Sequence, residues 1–470
     1  MESPLSRDNR ESVFLGLTRS LCPECKSLVD ARLLSRKGKV FLHKNCLEHG
    51  FTEALASDDI DWYVNGNRFN KPGTNPRRYA TAVERGCPQD CGLCPEHRQH
   101  TCLAILEITS DCNLSCPTCF AAAGGLGFNL SPPQVKSMLD SLVASEGQVE
   151  IVQISGGEPT LHPQLLEILG TVRDAGISRI MLNTNGLLLA QDSTLAVELA
   201  ELRTVIYLQF DGFKPSTNKI LRGRNDLLAI KEQALDKVHQ AGMVAVLVAT
   251  LVEGVNDDEI GHILRFGLKH PAVVGVSFQP ATFAGRSPAY DPVSRVTVPG
   301  VIRQLEIQTE GLFTTKDFFP VPCPHPACSA CTYAFVDGDT VLPLPRLVNV
   351  EDYLDYLTNR TMPDVFDEKV QKSLESLWSM KAVAGSQTTG ENFRCAACRL
   401  DFSPGKDLER HVFMVNIHGF MDKYNFDLSR CMKCCIHELV PDGRLIPFCV
   451  YNNCGYRERI KSMLSEVAKG

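Results

Sequence analysis

Twenty of the 470 residues are cysteine, and they are grouped. Ten lie between Cys22 and Cys119, ten between Cys323 and Cys454, and none between Cys119 and Cys323. Three of them, Cys112, Cys116 and Cys119, stand at Cys-x3-Cys-x2-Cys spacing in DCNLSCPTC. Three thiolates on one loop can hold a cubic iron–sulfur cluster through three of its four irons. The fourth iron is then open to a substrate or cofactor, by the logic of an open catalytic zinc position. A fourth cysteine from elsewhere would instead close the cluster as an electron carrier. The N-terminus, MESPLSRDNR, is charged, and the longest apolar run, 243–252, is half of the ~20 residues a membrane span needs. The chain therefore reads as cytoplasmic, where thiols stay reduced and grouped cysteines are metal ligands ahead of disulfides.

The outer cysteines extend this reading. CPEC (Cys22, Cys25) and KNCLEHG (Cys46, His49) suit a mononuclear tetrahedral site for zinc or iron. GCPQDCGLCPEH supplies Cys87, Cys91 and Cys94, and Cys102 follows. These four can close an auxiliary 4Fe–4S cluster, or Cys102 can serve the mononuclear ion. CPHPACSAC offers Cys323, Cys328 and Cys331, with a fourth ligand to come from Cys431, Cys434, Cys435, Cys449 or Cys454; Cys435 or Cys449 is expected. FRCAACRLDFSPGKDLERH imitates a zinc finger through Cys395, Cys398 and His411, but His418 follows after six residues rather than three to five. The intervening VFMVNI is β-branched and apolar, which favours a strand. Cys395 and Cys398 remain without a role.

Elements must position these groups. Strand-like runs at 102–109, 149–155, 177–184, 204–210, 243–251 and 273–280 alternate with helical patterns. Ser131 is placed as an N-cap with Pro132 at the first helical position, and the pattern over 161–176 ends on Gly176. Such alternation predicts an α/β fold with a parallel sheet, an incomplete barrel whose chemistry sits at the strand C-termini. Two Gly-rich segments fall there: Ser155-Gly156-Gly157-Glu158-Pro159 and Asn183-Thr184-Asn185-Gly186. The expected division is an N-terminal Cys-rich metal-binding domain over 1–100, the barrel over 101–310 and a C-terminal Cys-rich cluster domain over 311–470. The last includes a helical stretch at 365–383 and a linker at 384–390. With 48 Lys plus Arg against 55 Asp plus Glu, the net charge is −7, which argues against nucleic acid as a partner.

CxxxCxxC, GGEP and TNG, in this order, resemble the radical S-adenosylmethionine (SAM) superfamily. The resemblance implies a partial (β/α)6 barrel and a 4Fe–4S cluster whose fourth iron is chelated by the amino and carboxylate groups of SAM. It implies that Gly156, Gly157 and Glu158 face the SAM amino group, that Asn185 and Asp211 serve ribose or carboxylate contacts, and that Gln279 lies near adenine. The usual aromatic residue before the third cysteine is Thr118 here, with Phe120 just after. The flanks, from CPECKSLVD to RCMKCCIHELVPDGRLIPFCVYN, resemble the tetraether lipid synthase group, whose relatives are also named as pterin methyltransferases. That resemblance implies one or two auxiliary 4Fe–4S clusters, one mononuclear iron or zinc, an external electron donor, and C–C coupling of two lipid tails with peripheral contact at the inner membrane face. The alternative is C-methylation of a pterin or similar ring. A reading from another class is a non-catalytic zinc-binding interaction protein.

Overall fold

A computed structural model describes residues 11–353 and 411–467, apart from 125–126, 148, 178, 289–290 and 348. The expected helix at 365–383, the linker at 384–390 and Cys395 and Cys398 lie outside the described residues.

The N-terminal segment folds as an antiparallel meander of β1 (Val13–Leu21), β2 (Leu28–Arg36), β3 (Lys39–Cys46) and β4 (Gly50–Ser57), paired in chain order. Two of its turns place Cys22 and Cys25, after β1, beside Cys46, the last residue of β3, and His49, which follows it. The β-branched runs of the middle segment then form β5 (Leu103–Thr109), β6 (Ile151–Gly156), β7 (Arg179–Thr184), β8 (Thr204–Gln209), β9 (Ala245–Leu251) and β10 (Val273–Pro280). Every neighbouring pair among these six is parallel and follows chain order. Helices alternate with them, among them α1 (Pro132–Glu146), α2 (Leu165–Asp174), α3 (Ser193–Glu201), α4 (Leu227–Gln240), α5 (Ile260–Lys269) and α6 (Val298–Gln308).

Local chemistry accounts for the boundaries. The Ser131 N–H donates to Gln134 Oε1 (2.8 Å) while Pro132 occupies the first helical position, so α1 starts where the sequence places it. Along β5, Ala104, Leu106 and Ile108 are fully buried against the helices, while Leu103 and Ile105 line the interior of the barrel. This two-residue period assigns one face of each strand to packing and the other to the lumen.

A six-stranded partial barrel leaves two edges of unpaired backbone groups, which proteins pair or cover. Here both edges are paired by later chain. After β11 (Phe319–Pro320), β12 (Ser329–Asp337) and β13 (Thr340–Pro343), strand β14 (Val412–His418) runs parallel to β10 and antiparallel to β12. At the other edge β15 (Ile436–Leu439) runs parallel to β5 and is followed by β16 (Leu445–Pro447). The VFMVNI run expected as a strand is β14. The last helix, α7 (Tyr456–Val467), is anchored to the first barrel strand by a buried ion pair, Arg457 Nη1 to Glu107 Oε2 at 2.6 Å. No helix among the described residues is long and apolar enough to cross a membrane.

Candidate active site and metal centres

The loop after β5 carries Cys112, Cys116 and Cys119 to the C-terminal end of the sheet, where all three line one cavity of about 260 Å³. Gly156, Gly157, Glu158, Asn185 and Gln279 line the same cavity. Glycine is required at 156 and 157 because the cluster loop passes against them. A Cβ on Gly157 would sit 2.1 Å from the Asp111 carbonyl oxygen, and one on Gly156 (φ +131°) 2.3 Å from that of Thr109. The close approach is used: the Gly157 and Glu158 N–H groups donate to Thr109 O (2.8 Å) and Asp111 O (2.7 Å). Glu158 is buried, and its carboxylate accepts from Thr160 Oγ1 (2.6 Å), Thr184 Oγ1 (2.7 Å) and the Asn185 N–H (2.7 Å). It is thus a strut joining the two Gly-rich segments. Asn185 continues the chain of contacts by donating to Asn113 Oδ1 (2.7 Å), inside the Cys loop.

Asp211 requires a correction. Its carboxylate accepts from Arg222 Nε (2.6 Å), Arg222 Nη2 (2.7 Å) and the Thr250 N–H (2.9 Å), so it is spent on its own ion pair. The cavity is lined by Arg222 instead. Arg222 Nη1 also donates to Thr118 O (3.1 Å), and Arg286 holds the other side of the loop through Cys116 O (3.1 Å) and Ala123 O (2.7 Å). Lys231, buried beneath, donates to Asn185 O and Gln209 Oε1 (3.3 Å); burial brings its ammonium down to about 8. Sequence reasoning passed over all three cations. Each is an ordinary basic residue in sequence, and only the fold turns it inward.

Burial pushes the Cys112 thiol up to about 11 and raises that of Cys116, where Arg222 works in the opposite direction. Three convergent sulfurs in such a setting are held as thiolates by a metal cation, so the donor set fits the implied cluster.

At the N-terminal sheet, Cys22, Cys25, Cys46 and His49 bring their ligand atoms within 4.8 Å of one another. Cys25 Sγ lies 3.9 Å from Cys46 Sγ, and His49 Nδ1 lies 3.7 Å from Cys22 Sγ and 3.6 Å from Cys46 Sγ. A tetrahedral zinc with bonds of about 2.0–2.3 Å separates its ligands by about 3.7 Å, so the set fits a single ion. The His49 ring, with the Glu48 and His49 N–H groups, brings the Cys46 thiol down to about 6. His49, not Cys102, completes this quartet.

Cys102 also leaves its expected partners Cys87, Cys91 and Cys94. Because β15 pairs with β5, Cys435 lies beside Cys102: the Cys102 N–H donates to Cys435 O (2.9 Å), and the Cys102 sulfur lies within hydrogen-bonding reach of the Cys323 and Cys435 sulfurs. Cys331 adds its field to this group from β12. Cys91 instead lies near Cys87, Cys94 and Cys431, and Cys454 lies near Cys87 and Cys449. Cys434 and Cys449 lie near Cys328 and near Cys431, and Arg430 Nε lies 3.4 Å from Cys328 Sγ. Cys431, Cys434 and Cys454 thus lie among the other outer cysteines. Of the finger-like histidines, His411 bonds Val336 O (2.9 Å) and His418 lines the barrel cavity.

Residues 106–267 match the family described as the radical SAM superfamily, and residues 14–58 match the HMPTM N-terminal zinc ribbon domain. The chain is 34% identical over 488 aligned positions to the 7,8-dihydro-6-hydroxymethylpterin dimethyltransferase of Methanocaldococcus jannaschii, covering 95% of each chain. It is 29% identical over 183 positions to the probable GTP 3′,8-cyclase of Methanothermobacter marburgensis, across 38% of this chain and 58% of that one. The solved structure of Streptococcus suis SuiB bound to S-adenosylmethionine aligns with 45% of this chain and 47% of that one, at 16% identity and a TM-score of 0.37. An open three-cysteine loop over a parallel partial barrel, a zinc ribbon ahead of it and end-to-end similarity to the methanogen protein place this chain in the radical SAM superfamily, within the family of that dimethyltransferase.

Proposed function

We propose that the protein is a radical SAM C-methyltransferase acting on a pterin-type ring. Cys112, Cys116 and Cys119 would hold the cluster, which with SAM would supply the radical chemistry needed to activate an unactivated C–H bond. What this chain adds is orientation and the exclusion of water. The Gly156–Gly157 backbone and the Glu158 strut fix the loop, Arg222 and Arg286 clamp it from two sides, and the lumen beneath presents the substrate.

The observation that carries the substrate class is the belt of neutral polar side chains in that lumen. Gln153, Asn183, Gln209, Ser277, Gln279 and Asn416 all line it. Gln153 Nε2 donates to Asn183 Oδ1 (2.5 Å) and Asn183 Nδ2 to Ser155 Oγ (3.2 Å). Asn416 Oδ1 is buried and has no hydrogen-bond partner among the described residues. Amides of this kind match a flat heterocycle carrying its own amide and amino groups. An alkyl chain packed against them would leave Asn416 Oδ1 unpaired, at about 1–3 kcal/mol. Similarity to the methanogen dimethyltransferase over 95% of the chain points the same way.

The lipid-coupling reading has one observation in its favour: Leu103, Ile151, Met181, Val248, Val321 and Met414 give the same cavity an apolar share of its lining. One experiment separates the two. The protein is expressed with its iron–sulfur machinery in a bacterial host that makes pterins but no membrane-spanning lipids, and both pools are read by mass spectrometry. The methyltransferase reading expects pterins heavier by one or two methylene units, lost in Cys112→Ala. Unmodified pterins together with a new membrane-spanning lipid would establish the lipid reading instead.

A further inference from the structure

The polar side chains of the lumen fall into two groups. On β6, β7 and β8 they satisfy one another or a buried cation: Gln153 Nε2 donates to Asn183 Oδ1, Asn183 Nδ2 to Ser155 Oγ, and Lys231 Nζ to Gln209 Oε1. The second group stands on β14, which runs parallel to β10 with Asn416 in register with Ser277. Met414, Asn416 and His418 all line the cavity, at the two-residue period of a strand. Asn416 Nδ2 lies 2.7 Å from His418 Nε2, and among the described residues neither side chain makes another hydrogen bond. Asn416 Oδ1 is left as a buried acceptor without a partner.

Hydrogen positions follow from that contact. Burial brings the His418 imidazolium down to about 4, so the ring is neutral at pH 7. With the Asn416 amide donating to Nε2, the ring hydrogen sits on Nδ1, which has no acceptor among the described residues. The pair therefore offers one donor, His418 Nδ1–H, and one acceptor, Asn416 Oδ1. Turning the amide over exchanges the two roles and still leaves one of each. The His418 ring stacks on Phe420 (centroids 5.6 Å apart), Phe420 packs on Phe448 (4.5 Å), and Phe448 meets Phe120 edge-on (5.4 Å), beside Cys119. All four rings line the cavity. An aromatic wall leading from the cysteine loop to a donor–acceptor pair suits a flat ring with a polar edge: the wall stacks the face and the pair reads the edge.

We propose that Asn416 and His418 select the substrate ring by reading its lactam edge: His418 Nδ1–H donates to the ring carbonyl, and Asn416 Oδ1 accepts the adjacent ring N–H. The assignment rests on a pterin-type substrate and adds which side chains recognise it and by which edge. Both residues come from β14, outside residues 106–267 that match the superfamily, so neither belongs to the matched part of the barrel. Replacing the ring carbonyl by an amino group would set donor against donor at His418 and would take the N–H away from Asn416. A site built this way discriminates through the groups it leaves mispaired as well as through those it pairs.

The test titrates the full chain, reconstituted anaerobically, with two probes by calorimetry: 6-hydroxymethylpterin and 2,4-diamino-6-hydroxymethylpteridine, in which the lactam edge is inverted. Wild type is expected to bind the pterin roughly tenfold or more tightly than the diamino compound. His418→Leu and Asn416→Leu each weaken pterin binding by about tenfold or more and bring the ratio of the two affinities close to one. Iron content and SAM affinity stay at the wild-type level in both. His418→Asn, whose amide returns a donor near the Nδ1 position, recovers much of the preference. Wild-type pterin affinity and preference in both Leu variants would overturn the assignment while leaving the pterin reading in place. So would a loss of iron or of SAM affinity in step with pterin affinity, since the pair would then serve the fold. Failure of the wild-type protein to bind the pterin would overturn the pterin reading itself, and this assignment with it.

Discussion

Arg222 and Asp211 form a two-pronged ion pair under the cysteine loop, at 2.6 and 2.7 Å, and the remaining Arg222 nitrogen donates to Thr118 O beside Cys119. Both partners are buried, at 7% and 2% exposure. One guanidinium therefore neutralises a buried carboxylate and pins the residue before the third cluster ligand. Removing one partner of such a pair strands the other charge, at about 3–5 kcal/mol. Arg222→Met is expected to lower the thermal midpoint and to reduce the iron held after reconstitution. Arg222→Lys restores the charge but not the fork, and recovers only part of both. Iron and sulfide analysis alongside calorimetry checks this; wild-type iron loading in Arg222→Met would show that the loop does not depend on the pair.

Gly157 meets backbone, not a flexible side chain, at the point where a Cβ would go. The Asp111 carbonyl cannot retreat without breaking its bond to the Glu158 N–H. Gly157→Ala should therefore separate the GGEP segment from the cysteine loop, at a strain of about 1–3 kcal/mol. SAM affinity is expected to fall by on the order of tenfold or more while the cluster still assembles, since 1.4 kcal/mol is a factor of about 10. Equilibrium dialysis with labelled SAM, paired with iron analysis, reads the two effects separately.

What sequence made legible, and what it hid, follows from the range of the interactions. The six barrel strands fall within about two residues of the β-branched runs, because burial on both sides demands a near-continuous apolar stretch. The start of α1 is local in the same way, set by Ser131 and Pro132. The cysteine triad, GGEP and TNG are contiguous motifs, and the fold gathers them at one cavity. Ligand grouping among the outer cysteines was hidden, because chain spacing ties Cys102 to Cys94 while strand pairing ties it to Cys435. Asp211 looked available because nothing local announces Arg222, eleven residues on, as its partner. His49 was legible with Cys22, Cys25 and Cys46 as a tetrahedral set, and the fold brings these four together.

Lys44 makes a pH prediction. It is buried, with its ammonium donating to Leu21 O (2.5 Å), Lys423 O (2.8 Å) and Tyr424 O (2.9 Å), which ties the N-terminal sheet to the loop after β14. Burial brings it down to about 8. The unfolded chain keeps the proton up to about 10.4, so between these values the unfolded state binds more protons and stability rises with pH. The gain is largest above the unfolded value and amounts to about 3 kcal/mol, at 1.36 kcal/mol per unit. Relative to Lys44→Met, wild-type unfolding free energy in urea should climb between pH 8 and pH 10. Parallel pH profiles for the two proteins would contradict the assignment.

The zinc ribbon offers a final separation, between a metal that builds the fold and one that moves electrons. Three sulfurs and one imidazole nitrogen at tetrahedral spacing suit zinc, which has no redox chemistry. Cys46, near 6, is already a thiolate at neutral pH, so the site is set for a cation before one arrives. Its metal then serves to join the β1–β2 and β3–β4 turns, and the sheet meets the rest of the chain through Lys44 and through Thr18 Oγ1, which donates to Asp427 Oδ1 at 2.6 Å. Protein loaded with zinc at this site and with iron elsewhere is expected to cleave SAM to 5′-deoxyadenosine at full rate. His49→Ala removes a ligand and should release the zinc to a chelator and lower the thermal midpoint, while the Cys112, Cys116 and Cys119 site keeps its electron paramagnetic resonance signal. His49→Cys should hold zinc or iron with the midpoint restored, since four thiolates suit both metals. If zinc-loaded wild type were inactive and iron-loaded protein active, the ion would be an electron carrier and the structural reading would fall.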